Sequence, residues 1–210
     1  FPKQFEHYLG DGRFSLLNTE QKFDDLIDWN YSEKGKLWTY HLNYFDYLHQ
    51  PRMSWENGKE LIDDFLAHIQ HRKDGMEPYP ISLRTINWIK FLAVHEHFPQ
   101  KIVDSLYAQY QVLSKKLEYH LLGNHLLENG FSLLFGAVFF QDKKLTLLAK
   151  KILTVELEEQ IMDDGAHFEL SPMYHIILLQ RALDGYNLII HNNHDLKVVQ
   201  DLLEQKIQLM

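Results

Sequence analysis

Apolar residues recur at intervals of three and four along most of the chain, and no sustained period-2 run of β-branched residues interrupts them. The pattern predicts an all-α fold. After a loop-like lead, helices are expected over roughly 20–28, 37–50, 55–71, 82–97, 100–118, 120–140, 143–160, 172–191 and 195–209. The separators DWNYSEKGK, HQPRMS, RKDGMEPYP and DDGAHFELSP carry the Gly, Pro, Asp and Ser of turns. Two of them lead into helix starts. Ser171 is expected at an N-cap with Pro172 at the first helical position, where a missing N–H is harmless, so Tyr174 falls at the third. Ser82 is read in the same way as the N-cap of the helix that carries Arg84 in its first turn. Helices of similar length joined by short and longer loops suggest antiparallel hairpins in series, as in a bundle, solenoid or toroid, although no fixed-period repeat marks a solenoid.

Composition narrows the classes. At 210 residues and 45% hydrophobic, the chain is long enough for one well-buried core with room for a second small unit. Its formal net charge of −8 and the lack of any Lys/Arg stripe argue against a nucleic-acid partner. No run of about 18 uncharged apolar residues reads as a membrane span. Without cysteine there is neither a disulfide nor a thiolate ligand or nucleophile, which leaves the compartment open. The start at Phe1 and the end within a helical pattern suggest an excerpt, here read as one helical domain over 1–210.

Several polar groups interrupt apolar helices. In GNHLLENGFSLLFGAVFF, Asn124, Glu128 and Ser132 form one row at spacing four, with His125 and Asn129 in the row beside it. This patch either closes on itself as a hydrogen-bonded network or lines a cleft, because buried polar groups left unpaired cost about 1–3 kcal/mol each. Tyr174 lies where the positive end of the helix dipole favours negative charge, making it a candidate acid or base, or simply a packed ring. Arg84, Asn87 and Trp88 at i, i+3 and i+4 suit a carboxylated sugar: a forked donor, an amide for hydroxyls and a flat apolar face. Tyr40, Asn43, Tyr44 and Tyr47 make a similar stripe, which equally suits an aromatic core. The histidine pairs His68/His71 and His191/His194 lack a third ligand, and no nucleotide-binding or nucleophile-elbow motif is present, so no metal or cofactor is expected within this segment.

Four stretches, KLWTYHLNYFDYL, EPYPISLRTINWIKF, LLGNHLLENGFSLLFGAVFF and DDGAHFELSPMYHIILLQRALD, resemble in that order the N-terminal helical domain of the heparinase II/III-like polysaccharide lyases, a group that includes alginate and heparan sulfate lyases. The resemblance covers about residues 23–190, and the last two stretches are its specific part. It implies an incomplete (α/α) toroid of antiparallel helix hairpins, normally followed by a C-terminal β-sandwich that completes a cleft for acidic polysaccharide. It also implies β-elimination at a uronate, in which the carboxylate is neutralised, the C5 proton removed and the 4-O leaving group protonated. By that resemblance Asn124 matches the neutralising Asn, His125 a neighbouring assisting His, and Tyr174 the catalytic Tyr. Arg84, Asn87, Trp88, Tyr40, Asn43, Tyr44 and Glu128 are the expected substrate contacts. A further catalytic His or Tyr, and often a structural zinc, come in the family from the β-sandwich, which has no counterpart in this chain. Relatives with YHLNYF and PYPISLR-style motifs accompany bacterial surface-polysaccharide assembly, which favours a periplasmic or cell-envelope setting. Two rival readings stand beside the lyase: a non-catalytic glycan-binding or scaffolding toroid, and an (α/α) glycoside hydrolase using carboxylates among Glu128, Asp163, Asp164 and Glu169.

Overall fold

A computed structural model describes residues 6–69, 74–95, 97–121, 123–192 and 196–210. The described residues form three strands, β1 (Tyr8–Gly10), β2 (Arg13–Leu16) and β3 (Thr19–Lys22), and eight helices. The helices are α1 (Lys36–Tyr44), α2 (Trp55–Ala67), α3 (Pro78–Ala93), α4 (Gln100–Leu113), α5 (Asn124–Phe140), α6 (Lys143–Gln160), α7 (Pro172–Asn192) and α8 (Lys197–Leu209). The chain divides into two compact units, Phe1–Gln109 and Tyr110–Met210.

The all-α expectation needs one correction. The helix expected at 20–28 is absent; residues 19–22 close a three-stranded antiparallel meander instead. Leu16 pairs with Thr19 across Leu17 and Asn18, both at positive φ, which is the two-residue turn that matches strand twist. Only Phe14 and Leu16 of β2 are buried, so the alternation lasts two apolar positions and gives almost no periodic signal. Gln50 extends this small sheet: its Oε1 accepts the His7 and Tyr8 N–H groups at 3.1 and 3.0 Å, and its Nε2 donates to the Tyr8 carbonyl at 2.7 Å.

The rest of the first unit is built on aromatic packing. Phe14, Trp29, Phe45, Tyr47, Phe65 and Trp88 are buried in one ring cluster, with Trp29 stacked on Phe45 at 5.0 Å between centroids. α1 ends sooner than expected, at Phe45 in the left-handed region, and a short 3-10 turn (Asp46–His49) follows. α3 begins at Pro78 after Glu77, so Ser82 is a buried residue inside the helix rather than its cap. Pro78 and Pro80 are tolerated because first-turn N–H groups have no intrahelical acceptors.

In the second unit α5 packs against α6 and α7, and α8 packs against both of those. Residues 141 and 142 alone connect α5 to α6, and Asp142 caps α6 by accepting the Lys144 and Leu145 N–H groups at 2.8 and 3.1 Å. Gly130 permits the close approach: a Cβ there would lie 2.8 Å from Ile152 and 3.1 Å from Leu153. From Leu126 to Val138 α5 is buried on all sides, so every polar group in that span must find a partner inside the protein.

Candidate functional site

The polar row of α5 starts at a tightly held end. Gly123, with φ +94°, precedes the helix, and a side chain there would come within 2.7 Å of Glu169 Oε1. That carboxylate oxygen accepts the Asn124 N–H at 3.3 Å, satisfying one of the open donors of the helix start. Gln160, the last residue of α6, donates to the Gly123 carbonyl at 2.9 Å and to Glu156 at 2.8 Å. With its amide nitrogen so committed, its Oε1 faces His167 Nε2 at 3.2 Å, and that nitrogen carries the proton. Burial pushes the His167 ring below the usual histidine range, aided by His175 and opposed by Glu169. The ring is neutral at ordinary pH, and among the described residues its Nδ1 has no hydrogen-bond partner.

The segment that carries Tyr174 is thereby fastened to α5 within this unit. Between α6 and α7 the chain folds back on itself, with Met162 N–H donating to Ala166 at 3.0 Å and Phe168 N–H donating to Gln160 at 2.9 Å. α7 starts as the sequence predicts. Ser171 Oγ lies 3.5 Å from the Tyr174 N–H, the Ser171 carbonyl accepts from His175 N–H at 2.9 Å, and Pro172 opens the helix. About two turns further along α7, Arg181 donates through Nε to Glu128 Oε2 at 2.9 Å. Asn124, His125 and Tyr174, at the first three positions of their helices, remain half-buried. A pocket of about 420 Å³ is lined by residues that flank Tyr174 in sequence, His167, Ser171 and His175 among them, and by mainly apolar neighbours.

A second carboxylate serves the same helix start. Glu118, buried ahead of α5, stands 3.2 Å from His125 Nδ1 through Oε1 and accepts from Asn129 Nδ2 at 3.0 Å through Oε2. Asn129 Oδ1 accepts the Glu118 N–H at 3.1 Å. Sequence reasoning found His125 and Asn129, and named Glu169 only as a carboxylate of the hydrolase reading, but missed Glu118, Gln160 and Arg181. Each lies on another element, so no helical spacing links it to the row; the acidic residues flanking GNH and SPMYH were the available signal.

The expected substrate contacts fare differently. Glu128 is 3% exposed and its carboxylate is held by Arg181, so it is an interior ion pair rather than an open sugar contact. In the first unit Arg84 is fully buried: Nε donates to Gln109 Oε1 at 2.7 Å, and Nη1 donates to the Gly75 and Asn43 carbonyls at 2.8 and 3.1 Å. Its guanidinium also lies 4.7 Å from the centre of the Phe65 ring. That arrangement ties a loop and two helices together and offers no fork to a ligand. Trp88 is fully buried against Phe45 and Phe65, so its face is core. Asn43 donates to the Trp29 and Thr39 carbonyls at 3.0 and 2.8 Å, and Asn87 donates to the Tyr44 carbonyl at 2.8 Å. Tyr44 is buried among Tyr40, His41 and Tyr79, and Tyr47 donates to the Leu42 carbonyl at 2.9 Å. Of this set Tyr40 and Asn87 stay partly open, Tyr40 with its hydroxyl donating to Glu77 at 2.7 Å. His71 and His194 lie outside the described residues, as do Gln70 and Asp195 at the ends of two expected helices. Among the described residues no group of three acidic or histidine side chains is arranged to hold a metal, and no helix is long and apolar enough to cross a membrane.

Residues 81–209, more than half of the chain, match the family model described as Heparinase II/III N-terminus, and the chain belongs to that family. Its fold is similar to that of the heparan sulfate lyase HepC from Pedobacter heparinus, with a TM-score of 0.71 at 17% identity over 95% of this chain and 35% of that one. A mutant of the same lyase gives 0.70 at 18% identity, over 95% of this chain and 36% of that one. A heparinase III, the BT4657 gene product with methylated lysines, gives 0.69 at 16% identity over 94% and 38%. The chain thus spans little more than a third of these structures, and at such identities the likeness is one of fold. No curated protein matches it in sequence. At family level the chain is related to polysaccharide lyases.

Proposed function

We propose that this chain is the helical part of a lyase that cleaves uronate-containing acidic polysaccharide by β-elimination. The reading rests on the half-buried trio of Asn124, His125 and Tyr174, supported by the Glu169 and Gln160 bonds that fasten the start of α5 to the segment entering α7. In the reaction Asn124 and His125 meet the uronate carboxylate at the positive end of α5 and stabilise the negative charge that develops as C5 loses its proton. The released electron pair forms the C4–C5 double bond as the C4–O bond breaks. The C5 proton passes to the catalytic His or Tyr that the β-sandwich supplies, and Tyr174 gives a proton to the departing O4. Among the expected substrate contacts, Tyr40 and Asn87 are the ones that stay partly open.

By the same resemblance the helices are part of an incomplete (α/α) toroid, and a C-terminal β-sandwich is the partner that completes the cleft, supplies the remaining catalytic His or Tyr and carries any zinc. A cell-envelope setting, with a role in trimming bacterial surface polysaccharide, suits the YHLNYF and PYPISLR stretches.

Ultraviolet absorbance of unsaturated uronate, released from a panel of acidic polysaccharides by the full-length protein that carries the β-sandwich, tests the reading. Absorbance is expected to rise for the native protein and to fall by about 10²–10⁴-fold in Tyr174→Phe, the range for losing one general acid. Glycan binding without any unsaturated product would replace the lyase with a binding module; new reducing ends without a double bond would make it a hydrolase.

A further inference from the structure

We propose that Glu118 is a positioning residue that fixes the tautomer and orientation of His125, a role that rests on the reading of His125 as a substrate-facing group. Glu118 has a side chain only 6% exposed, whereas that of His125 is 39% exposed. A carboxylate that deep in the protein is costly to desolvate unless every oxygen is matched by a donor. One oxygen is matched by the Asn129 amide and the other by His125 Nδ1.

The orientation of each group follows from the next. The Glu118 N–H donates to Asn129 Oδ1, so the Asn129 oxygen faces the backbone and its NH2 faces the carboxylate. An ionised carboxylate can only accept, so the hydrogen between Glu118 and His125 belongs to Nδ1 in both the neutral ring and the imidazolium. The proton that His125 gains or loses is therefore the one on Nε2. In the proposed reaction this makes Nε2 the atom that donates to the uronate carboxylate when the ring is charged, with the ring plane held by Glu118. Asn129, one turn from His125 on the same helix, supplies the acceptor for the Glu118 N–H and so locks the frame.

Glu118→Gln removes one acceptor and supplies a donor of the same shape. Its single amide oxygen serves either the Asn129 NH2 or His125 Nδ1–H, and the other site meets a donor. The first readout is the His125 tautomer, from long-range proton–nitrogen correlation spectra of the full chain at a pH where the ring is neutral. The native protein is expected to carry its proton on Nδ1, and Glu118→Gln is expected to move it wholly or partly to Nε2. A proton on Nε2 in the native protein overturns the proposal, whether or not any polysaccharide is cleaved, and this measurement needs no variant to fold. The second readout is kinetic. On any substrate the native chain cleaves, Glu118→Gln is expected to lower kcat by about 10–100-fold with KM little changed, the scale seen when an orienting partner is lost. A switched tautomer with kcat unchanged also overturns the positioning role. Absence of cleavage by the native protein, with the Nδ1 tautomer present, counts against the lyase reading and supports the Glu118 assignment.

Discussion

Arg84 and Asn124, one in each unit, share a single sequence signature: a polar group set into an apolar helix beside others at helical spacing. The structure treats them in opposite ways. Arg84 lies mid-helix, fully buried, with its donors on two carbonyls and an amide oxygen, while Asn124 opens its helix and keeps its side chain half-buried. Glu128 and Arg181 repeat the Arg84 case inside the unit that holds Asn124, so the contrast follows position along the helix rather than the unit. A polar group in the middle of a helix packed on all sides has only protein to bond with, whereas one in the first turn emerges where the helix face ends. Spacing alone therefore identifies polar patches; the distance from the helix start separates interior ties from candidate reactive groups.

The largest test of that contrast is Arg84→Met. Three acceptors, the Asn43 and Gly75 carbonyls and Gln109 Oε1, lose their donor, and a loss of about 3 kcal/mol or more is expected, read as a lower midpoint in urea unfolding. Unchanged stability with a raised KM would return Arg84 to the substrate and break the comparison.

A smaller effect is expected at Glu77. Burial pushes its carboxyl up, but the Tyr40 hydroxyl, a backbone N–H and Lys36 outweigh this and hold it below the ordinary value of 4.5. A lowered folded value means the unfolded chain binds the proton more readily, so the contribution is full above about pH 4.5 and fades as the pH falls through the folded value. Glu77→Gln should thus cost less than about 1 kcal/mol near neutrality, after discount for solvent screening, and nothing at about pH 2. Thermal melts at the two pH values compare the variants; an equal cost at both would assign the loss to packing rather than charge.

The smallest expected changes sharpen the other side. Asn124→Ala and Tyr174→Phe each keep the backbone bonds of their helix starts, and both should stay within about 0.5 kcal/mol of the native stability while activity falls. A loss of about 2 kcal/mol or more in either would make that residue an interior tie like Arg84.

Much of the helical layout was legible because long amphipathic segments repeat their signal over many turns: α5, α6 and α7 lie within a few residues of their expected bounds. The start of α7 was legible in detail, since Ser171 and Pro172 act locally. The meander at residues 8–22 was not, because its strands are three or four residues long and one turn depends on the left-handed conformations of Leu17 and Asn18. Ser82 misled because any serine ahead of an apolar run imitates a cap, while Glu77 and two prolines had already begun α3.

By itself the sequence determined where most helices run, which faces are apolar, and the GNHLLEN and SPMYH stretches that identify the family. Only the tertiary structure decided which polar groups remain open. Arg84, Asn43 and Glu128 were taken up by carbonyls and charges from distant segments, and Glu118 and Glu169 were brought to the start of α5 from outside it. The physical reason is that a helix repeats within 3.6 residues and so writes its own pattern into the chain, whereas the partner of a buried polar group is set by packing between elements and leaves no period to read.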